Sequence, residues 1–166
     1  VILIVIQTLA AMKMSVLNKL LEQRAYTDAH TGLPNKDACE VLLNNKETVA
    51  KHTACMMFDL NNLKIINDTK GHSKGDQLIL NFARLLRNVI PQKDFVGRYG
   101  GDEFMVVIYN TSKTEIEDIL KQLSREKDRL NSSGNNMPID YACGWAISDA
   151  DSECTIQMLL DKADYY

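Results

Sequence analysis

Acidic residues stand beside the ends of short apolar runs at two places in this sequence. Asp59 lies near the end of the apolar run 53–60, and Asp102 and Glu103 follow a Gly-Gly pair that separates two further runs. Carboxylates that lie close together repel one another unless a proton or a cation joins them. Mg²⁺ prefers oxygen ligands and is usually bound by one or two carboxylates together with substrate phosphates. If these runs pair in one sheet, the three carboxylates are expected to converge at one edge as a magnesium site.

The alternative is that these acidic residues are simply solvated at a turn. The glycines that precede Asp102 favour a functional interpretation, because the missing side chains let the backbone and a ligand approach each other. A Gly-Gly pair between strand-like runs also indicates a tight hairpin, since glycine adopts positive φ at little cost. We therefore expect Gly100 and Gly101 to form the turn in this way.

Helical and strand-like patterns alternate along the chain and predict the elements that carry these residues. The expected helices cover 1–26, 36–45, 63–67, 76–89 and 112–130, with a last helix from 155; the expected strands cover 53–60, 94–99, 104–109 and 139–147, and 131–136 is a loop. Asn35 is expected to cap the second helix. This order predicts an α+β fold in which helices pack against a mostly antiparallel sheet.

The first helix combines an aliphatic start with basic residues further on. Residues 1–6 are all aliphatic, and Lys13, Lys19 and Arg24 follow them. One interpretation is the inner end of a membrane span whose start lies outside this sequence, with the basic residues on the cytoplasmic side. The other is a helix that pairs with a copy of itself, because apolar residues within 2–16 recur at the alternating spacings of a coiled coil.

Length and composition restrict the class of protein. The chain has 166 residues, of which 45% are hydrophobic and 25% charged, and its net charge is −3. This suits one ordinary globular domain. Proteins that coat a nucleic acid are usually basic, so no nucleic-acid polymer is expected as a partner. The four cysteines show neither a C-x-x-C pair nor metal-ligand spacing, which predicts reduced thiols in a cytosolic domain.

Several ordered motifs resemble those of the GGDEF family, the diguanylate cyclases. The signature Gly-Gly-Asp-Glu-Phe occupies 100–104, and Arg98 and Tyr99 precede it, as they commonly do in that family. The other matching segments are the entry motif DAHTGLPNK at 28–36, the first metal-binding segment FDLNNLKIIND at 58–68 and the motif GHSKGD at 71–76. The resemblance covers about 28–166, and the motifs stand at the spacing of the family.

The resemblance implies a fold and a reaction. The fold would be similar to the catalytic core of nucleotidyl cyclases and to polymerase palms, preceded here by the N-terminal helix. The reaction joins two GTP molecules into cyclic di-GMP and releases pyrophosphate. Each 3′-hydroxyl attacks the α-phosphate of the other GTP, so a homodimer is expected. Two Mg²⁺ or Mn²⁺ ions suit this chemistry, because they lower the pKa of the attacking hydroxyl and neutralise the leaving phosphates.

The resemblance also assigns roles at the metal site. Asp59 and Asp102 match the carboxylates that bind metal, and Leu60 matches the residue that lends a backbone carbonyl. Glu103 lies beside them and is expected to help hold the second ion. Asp102 also matches the residue often assigned as proton acceptor, although a metal-bound carboxylate is a weak base. Lys64 matches a residue that stabilises charge on the phosphates.

Further matches concern nucleotide binding. Asn67, His72 and Asp76 match nucleotide-binding positions, and Gly101 is expected to contact the substrate in the turn. A carboxylate at Asp76 suits guanine, because it accepts from both N1–H and N2–H₂, whereas adenine offers no such pair. The alternatives are helix capping by Asn67 and Asp76 and a purely structural role for His72.

The sequence departs from the family at two places. The family often carries an inhibitory Arg-x-x-Asp motif before the signature strand, and here the matching residues 91–94 are Pro-Gln-Lys-Asp. This predicts a site that lacks the arginine for product phosphates and leaves Asp94 as an ordinary residue. Residues 163–166 resemble the start of the family's final helix, which goes on to supply basic residues for the triphosphate. Asp28 is expected to pair with Arg98 as a structural contact.

The sequence therefore predicts a diguanylate cyclase domain at 27–166, preceded by a signalling or juxtamembrane helix at 1–26. The chain is expected to be part of a longer bacterial signalling protein, cytoplasmic and attached to the inner membrane if the first helix continues a span. One alternative is an inactive GGDEF module that binds GTP or cyclic di-GMP and regulates a neighbour. Another is a dimerisation module in which the first helix provides the contact between two copies.

Overall fold

The computed structural model describes residues 2–134, 137–148 and 153–163. In chain order, the elements of these parts are α1 (Ile2–Ala25), α2 (Lys36–Leu43), β1 (Ala54–Leu60), α3 (Leu63–Lys70), α4 (His72–Val89), β2 (Phe95–Arg98), β3 (Glu103–Ile108), α5 (Lys113–Ser132), β4 (Tyr141–Ile147) and α6 (Ile156–Ala163). Each predicted helix and strand has a counterpart, and the predicted α+β class is confirmed.

The four strands form one antiparallel sheet in the order β2-β3-β1-β4. β1 lies between β3 and β4, and its register runs from Ala54 opposite Ile108 to Asp59 opposite Glu103. β2 and β3 form the predicted hairpin, with Arg98 opposite Phe104. Because neighbouring strands are antiparallel, the end of β1 and the turn of the hairpin meet at the same edge of the sheet.

Helices α4 and α5 cover one face of the sheet. Phe58 of β1 and Phe104 of β3 are fully buried there, and the ring of Phe82 from α4 meets both edge-on at centroid distances of 5.9 and 5.0 Å. Tyr141 of β4 packs against Phe58 and Phe82. Edge-on ring pairs contribute roughly 0.5–1.5 kcal/mol each beyond simple burial. This aromatic cluster fixes the part of β1 that leads to Asp59.

Helices α2 and α6 cover the opposite face. Cys55 of β1 packs there with Cys39 of α2, and both side chains are buried. All four cysteines are free thiols, as predicted. Burial raises the pKa of Cys39 and of Cys143 to about 12, so both stay protonated at neutral pH. At Gly144 of β4 there is no room for a side chain, because the backbone carbonyl of Ala163 occupies that space.

Helix α1 exposes its apolar side chains. Between Ile4 and Leu21 its large hydrophobic residues are about half to two thirds exposed. Residues Ile4–Ala25 form a helix that is long and apolar enough to cross a membrane, with a mean hydropathy of 1.3. Exposed apolar side chains in this number indicate a surface that contacts lipid or protein. Membrane insertion and pairing with a second copy both remain predictions.

One side chain joins the end of α1 to the start of α2. The amide nitrogen of Asn35 donates to the carbonyl of Ala25 at 2.7 Å, and its side-chain oxygen accepts from the N–H of Ala38 at 3.0 Å. The second bond is the predicted helix cap, which satisfies an N–H that has no partner within the helix.

Several boundaries differ from the prediction. α4 begins at His72 rather than at residue 76, and α5 continues to Ser132, so the start of the predicted loop 131–136 is helical. Asn131 is held by two hydrogen bonds of 2.8 Å between its side chain and the backbone of Ile139. Residues 135–136 and 164–166 lie outside the described residues, so of the segment 163–166, where the final family helix was expected to begin, only Ala163 is described, at the end of α6.

Candidate active site

The end of β1 and the hairpin turn bring the predicted metal residues to one edge of the sheet. Asp59 stands directly opposite Glu103 in the antiparallel register. The N–H of the next residue, Leu60, donates to the carbonyl of Asp102 at 2.9 Å. Side chains at opposite positions of neighbouring strands lie on the same face of a sheet. The predicted pairing of the hairpin beside the Asp59 strand is therefore confirmed.

The turn itself differs from the one expected. The N–H groups of Tyr99 and Gly100 both donate to the carbonyl of Glu103, at 2.9 and 3.1 Å. Gly100 and Gly101 are not among the described glycines with positive φ, so the conformational reason given for this pair is wrong. A Cβ at Gly100 would meet the carboxylate end of the Glu103 side chain, which would have to move aside. Gly101 is exposed, and a Cβ there would meet nothing within 4 Å.

The side chain of Arg98 binds the backbone of this turn. Its Nε donates to the carbonyl of Gly100 at 3.1 Å and its Nη2 to the carbonyl of Gly101 at 2.8 Å. Its Nη1 lies 3.3 Å from both carboxylate oxygens of Asp28, which confirms the predicted pair. Sequence reasoning found the ion pair but missed the bonds to the glycine carbonyls, for which the position of Arg98 next to the turn is the only signal.

The carboxylate of Asp28 is held in its charged form. Burial of this carboxyl works to raise its pKa, but hydrogen bonds from the side chain and backbone of Thr31 and the charge of Arg98 together lower the pKa below 3.8. The two Thr31 bonds measure 2.6 and 2.8 Å. The entry segment and the turn are thus joined by a charge-assisted contact, which is stronger than a neutral hydrogen bond.

The oxygen donors at this edge suit a hard divalent cation. Asp59 is exposed, and Asp102 and Glu103 are partly exposed. In the described part of the chain, no three His, Cys, Asp or Glu side chains are grouped closely enough to hold a metal ion. The backbone brings all three carboxylate residues to one edge as expected, because Asp59 stands opposite Glu103 and the Leu60 N–H donates to the Asp102 carbonyl; their joint binding of an ion stays a prediction. Mg²⁺ needs only one or two carboxylates when phosphates complete its ligands, so the donor set still fits.

The residues expected to contact the nucleotide lie on two consecutive helices: Lys64 and Asn67 on α3, and His72 and Asp76 on α4. Lys64, His72 and Asp76 are exposed, and Asn67 is partly buried. The N-cap positions are Gly71 for α4 and Asn62 for α3, and the side-chain oxygen of Asn67 has no hydrogen-bond partner, so helix capping by Asn67 or Asp76 is wrong. Their side chains are left available for another role.

Two contacts near these helices were not expected from the sequence. The Nε2 atom of His30 lies 3.0 Å from the backbone carbonyl of Asp76, which ties the entry segment to the first turns of α4. The side-chain amide of Asn61 donates to the Asp140 carboxylate at 3.0 Å, and the Asn61 N–H donates to the Asp140 carbonyl at 2.9 Å. Both contacts join residues far apart in the chain, for which the sequence carries no periodic or local signal.

The segment that departs from the family motif has its own structure. One oxygen of Asp94 accepts from the N–H of Tyr109 at 3.0 Å, while the other is buried without a hydrogen-bond partner. Asp94 precedes β2 directly, as expected, and its bond to Tyr109 ties the start of β2 to the residue that follows β3. Pro91 and Asp94 line a cavity of about 430 Å³ together with Arg87 of α4. Arg87 donates from Nη2 to the carbonyl of Gly32 at 3.2 Å.

Comparison with known proteins gives a family match over most of the chain. The family model described as the diguanylate cyclase GGDEF domain matches residues 25–166. The chain is 33% identical over 113 residues to the diguanylate cyclase DgcP of Escherichia coli, covering 66% of this chain and 33% of that protein. It is 34% identical over 151 residues to the cyclic di-GMP phosphodiesterase PdeB of Shewanella oneidensis, covering 90% of this chain and 18% of that protein.

Solved structures agree on the fold. The crystal structure of the coiled coil and GGDEF domain of DgcB from Caulobacter crescentus, in complex with c-di-GMP, superposes with a TM-score of 0.77 at 23% identity. The match covers 96% of this chain and 87% of that one. The chain spans about a fifth to a third of the length of the two relatives named above. It covers most of the solved DgcB chain, which combines a coiled coil and a GGDEF domain.

Proposed function

The chain belongs to the diguanylate cyclase GGDEF domain family, and from this premise we propose that it condenses two GTP molecules into cyclic di-GMP. In each half-reaction, a 3′-hydroxyl oxygen forms a bond to the α-phosphorus of the other GTP, and the bond to the leaving pyrophosphate breaks. Two such steps close the ring and release two pyrophosphates. The register that sets Asp59 opposite Glu103, beside the turn that carries Asp102, is the observation that carries this proposal.

The metal-binding residues would be Asp59, Asp102 and Glu103, with Leu60 as a backbone ligand. Bound Mg²⁺ or Mn²⁺, two ions per site, would supply charge neutralisation and a lowered pKa of the attacking hydroxyl. Asp102 is proposed to accept the hydroxyl proton as well. Arg98 keeps the turn that carries Asp102 in place through its bonds to the two glycine carbonyls.

Lys64 and the residues of α3 and α4 would bind the nucleotide. The exposed Lys64 is proposed to stabilise negative charge on the phosphates, where a fixed cation is most effective. Asp76 would accept from the two donors of the guanine edge, with Asn67 and His72 beside it. Gly101 is proposed to contact the substrate through its backbone, which is supported by its exposure and by the open space around it.

The proposed unit is a homodimer of domains at 27–166, each preceded by a helix at 1–26. One domain holds one GTP, so two facing copies are needed for a product with two phosphodiester bonds. The exposed apolar residues of α1 support pairing or membrane attachment. We propose a cytoplasmic position, because GTP is an intracellular nucleotide, with α1 continuing into an inner-membrane span as the alternative to a free coiled coil.

A second candidate is a GGDEF module that binds nucleotide without catalysis and regulates a neighbouring domain. The name of PdeB, a cyclic di-GMP phosphodiesterase, favours it, although the chain matches only 18% of that protein. The retained carboxylates Asp59, Asp102 and Glu103 support the cyclase instead, because a regulatory site has no chemical need for them.

The deciding experiment is to incubate the whole chain with GTP and Mg²⁺ and to measure cyclic di-GMP and pyrophosphate. We expect both products in a ratio of one to two, none with ATP, and none after chelation of the metal. GTP binding without either product would contradict the cyclase and favour the regulatory module.

A further inference from the structure

Gly75 lies inside a helix, where glycine is an unfavourable choice. It is the fourth residue of α4, an 18-residue helix, and it is buried. Its φ is not positive, so the backbone does not require glycine there. A glycine in a helix interior loses more conformational freedom on folding than alanine does and therefore costs stability. Because alanine could adopt this backbone conformation, the glycine indicates that there is no space for a side chain.

The space at Gly75 is filled by Asn67 from the preceding helix. A Cβ at position 75 would overlap with the side-chain oxygen of Asn67, lie 2.9 Å from its Cγ and lie 3.1 Å from Cδ1 of Leu63. The same oxygen of Asn67 is fully buried and has no hydrogen-bond partner. The carboxamide of Asn67 therefore occupies the volume that any side chain at position 75 would need.

We propose that Gly75 is a positioning residue for nucleotide binding and acts through Asn67. This rests on the function proposed above, in which Asn67 contacts the GTP base. With the carboxamide oxygen turned towards Gly75, the amide nitrogen is the end of the side chain that can meet a ligand. Asp76 follows Gly75 directly in the chain, so the same turn of α4 holds the carboxylate and sets the position of the amide.

Gly75→Ala is the test variant. Its methyl group displaces the Asn67 carboxamide, and we expect the Kd for a non-hydrolysable GTP analogue with Mg²⁺ to rise about tenfold, which corresponds to one hydrogen bond. The KM for GTP should rise by the same factor while kcat changes less than twofold, because an interaction with the base is lost equally from ground and transition states. Ser73→Thr is the matched control, since it adds one carbon to the same turn at an exposed position.

A double-mutant cycle separates positioning from a general effect on the helix. Asn67→Ala removes the side chain through which Gly75 is proposed to act, so Gly75→Ala should cause no further loss in that background. The double variant also relieves the overlap and keeps the test valid if Gly75→Ala alone fails to fold. A further loss of more than threefold in the double variant, or wild-type binding by Gly75→Ala, would overturn the proposal.

A spectroscopic measurement keeps this proposal distinct from the cyclase assignment. The side-chain amide signals of Asn67 in a ¹⁵N-correlated NMR spectrum of the nucleotide-free chain should move in Gly75→Ala and stay in place in Ser73→Thr. Unmoved Asn67 signals would contradict positioning by Gly75 whatever the activity. The wild-type chain could form no cyclic di-GMP while the Asn67 signals move in Gly75→Ala and the Kd values of the variants follow the double-mutant cycle. That result would contradict the cyclase assignment alone.

Discussion

Arg98 and Asp28 form one of the contacts through which the segment after α1 reaches the candidate active site. The Nη1 atom of Arg98 lies 3.3 Å from both oxygens of Asp28, and the other guanidinium nitrogens donate to the carbonyls of Gly100 and Gly101. The planar guanidinium can satisfy these partners together, which a lysine ammonium cannot. A change in the position of Asp28 is therefore transmitted to the turn that carries Asp102.

The ion pair predicts a specific dependence of stability on pH. The folded pKa of Asp28 is lower than its ordinary value, so its contribution is complete above about pH 4, near the unfolded pKa, and is lost as pH falls through the folded pKa. In Asp28→Asn, we expect the free energy of unfolding at pH 7 to fall by about 1–3 kcal/mol. The difference from wild type should shrink below pH 4 in denaturant titrations; a constant difference would contradict this assignment.

The metal site predicts a large effect of Asp59→Asn on activity. The substitution keeps the shape of the side chain and removes the charge that would offset divalent ions. We expect cyclic di-GMP synthesis to fall by at least about a hundredfold, the order of one electrostatic contribution in an active site. Asp118→Asn, which changes an exposed aspartate of α5, is the control and should leave the rate unchanged. Near-normal synthesis by Asp59→Asn would remove Asp59 from the metal site.

Base choice depends on Asp76 in the proposed function. Asp76→Ser removes the acceptor for two guanine donors, so we expect weaker use of GTP and a smaller preference for GTP over ATP, by about tenfold or more. The ratio of kcat/KM for the two nucleotides is the measurement. Asp118→Ser, which changes an exposed aspartate of α5, is the matched control. If Asp76→Ser keeps the full preference for guanine, another residue selects the base.

The segment before β2 predicts weak product inhibition. Pro91 has neither charge nor donor, and the Asp94 carboxylate accepts from the Tyr109 N–H and is partly buried. We expect no sub-micromolar binding of cyclic di-GMP at this position in calorimetry with the active site filled by a GTP analogue. Arg87 is the one arginine among the residues that line the adjacent cavity. Tight binding that is lost in Arg87→Ala would show that this arginine replaces the missing one.

The fold could largely be predicted from the sequence, because local patterns determine most of its elements. β1 and β3 are continuous apolar runs, and Asn35 occupies the position where a helix needs an acceptor for an unpaired N–H. The start of α4 could not be predicted. The helical pattern predicted a helix from residue 76, whereas α4 begins four residues earlier, at His72.

The candidate site was predictable in its residue types and less so in its contacts. The spacing placed Asp59 and Asp102 at strand ends, but the register that sets Asp59 opposite Glu103 depends on pairing between residues 44 positions apart. Gly100 was assigned to a positive φ, yet its φ is not positive, and the group nearest to a Cβ there is the Glu103 carboxylate. Contacts of this kind arise when distant segments pack, and composition and periodicity do not encode them locally.

α1 is a long helix whose end is joined to the start of α2 by the side chain of Asn35. Its 24 residues give a length of about 36 Å at about 1.5 Å per residue, so a tilt of about ten degrees at Asn35 moves the far end by about 6 Å. Read in the other direction, a displacement of several ångströms at the far end becomes a rotation of only a few degrees at the base. The side-chain bonds of Asn35, together with the bond from its backbone N–H to the carbonyl of Tyr26 at 3.0 Å, therefore set how much of such a movement enters the catalytic domain, and Asn35→Asp would remove the bond to Ala25 while keeping the cap on α2.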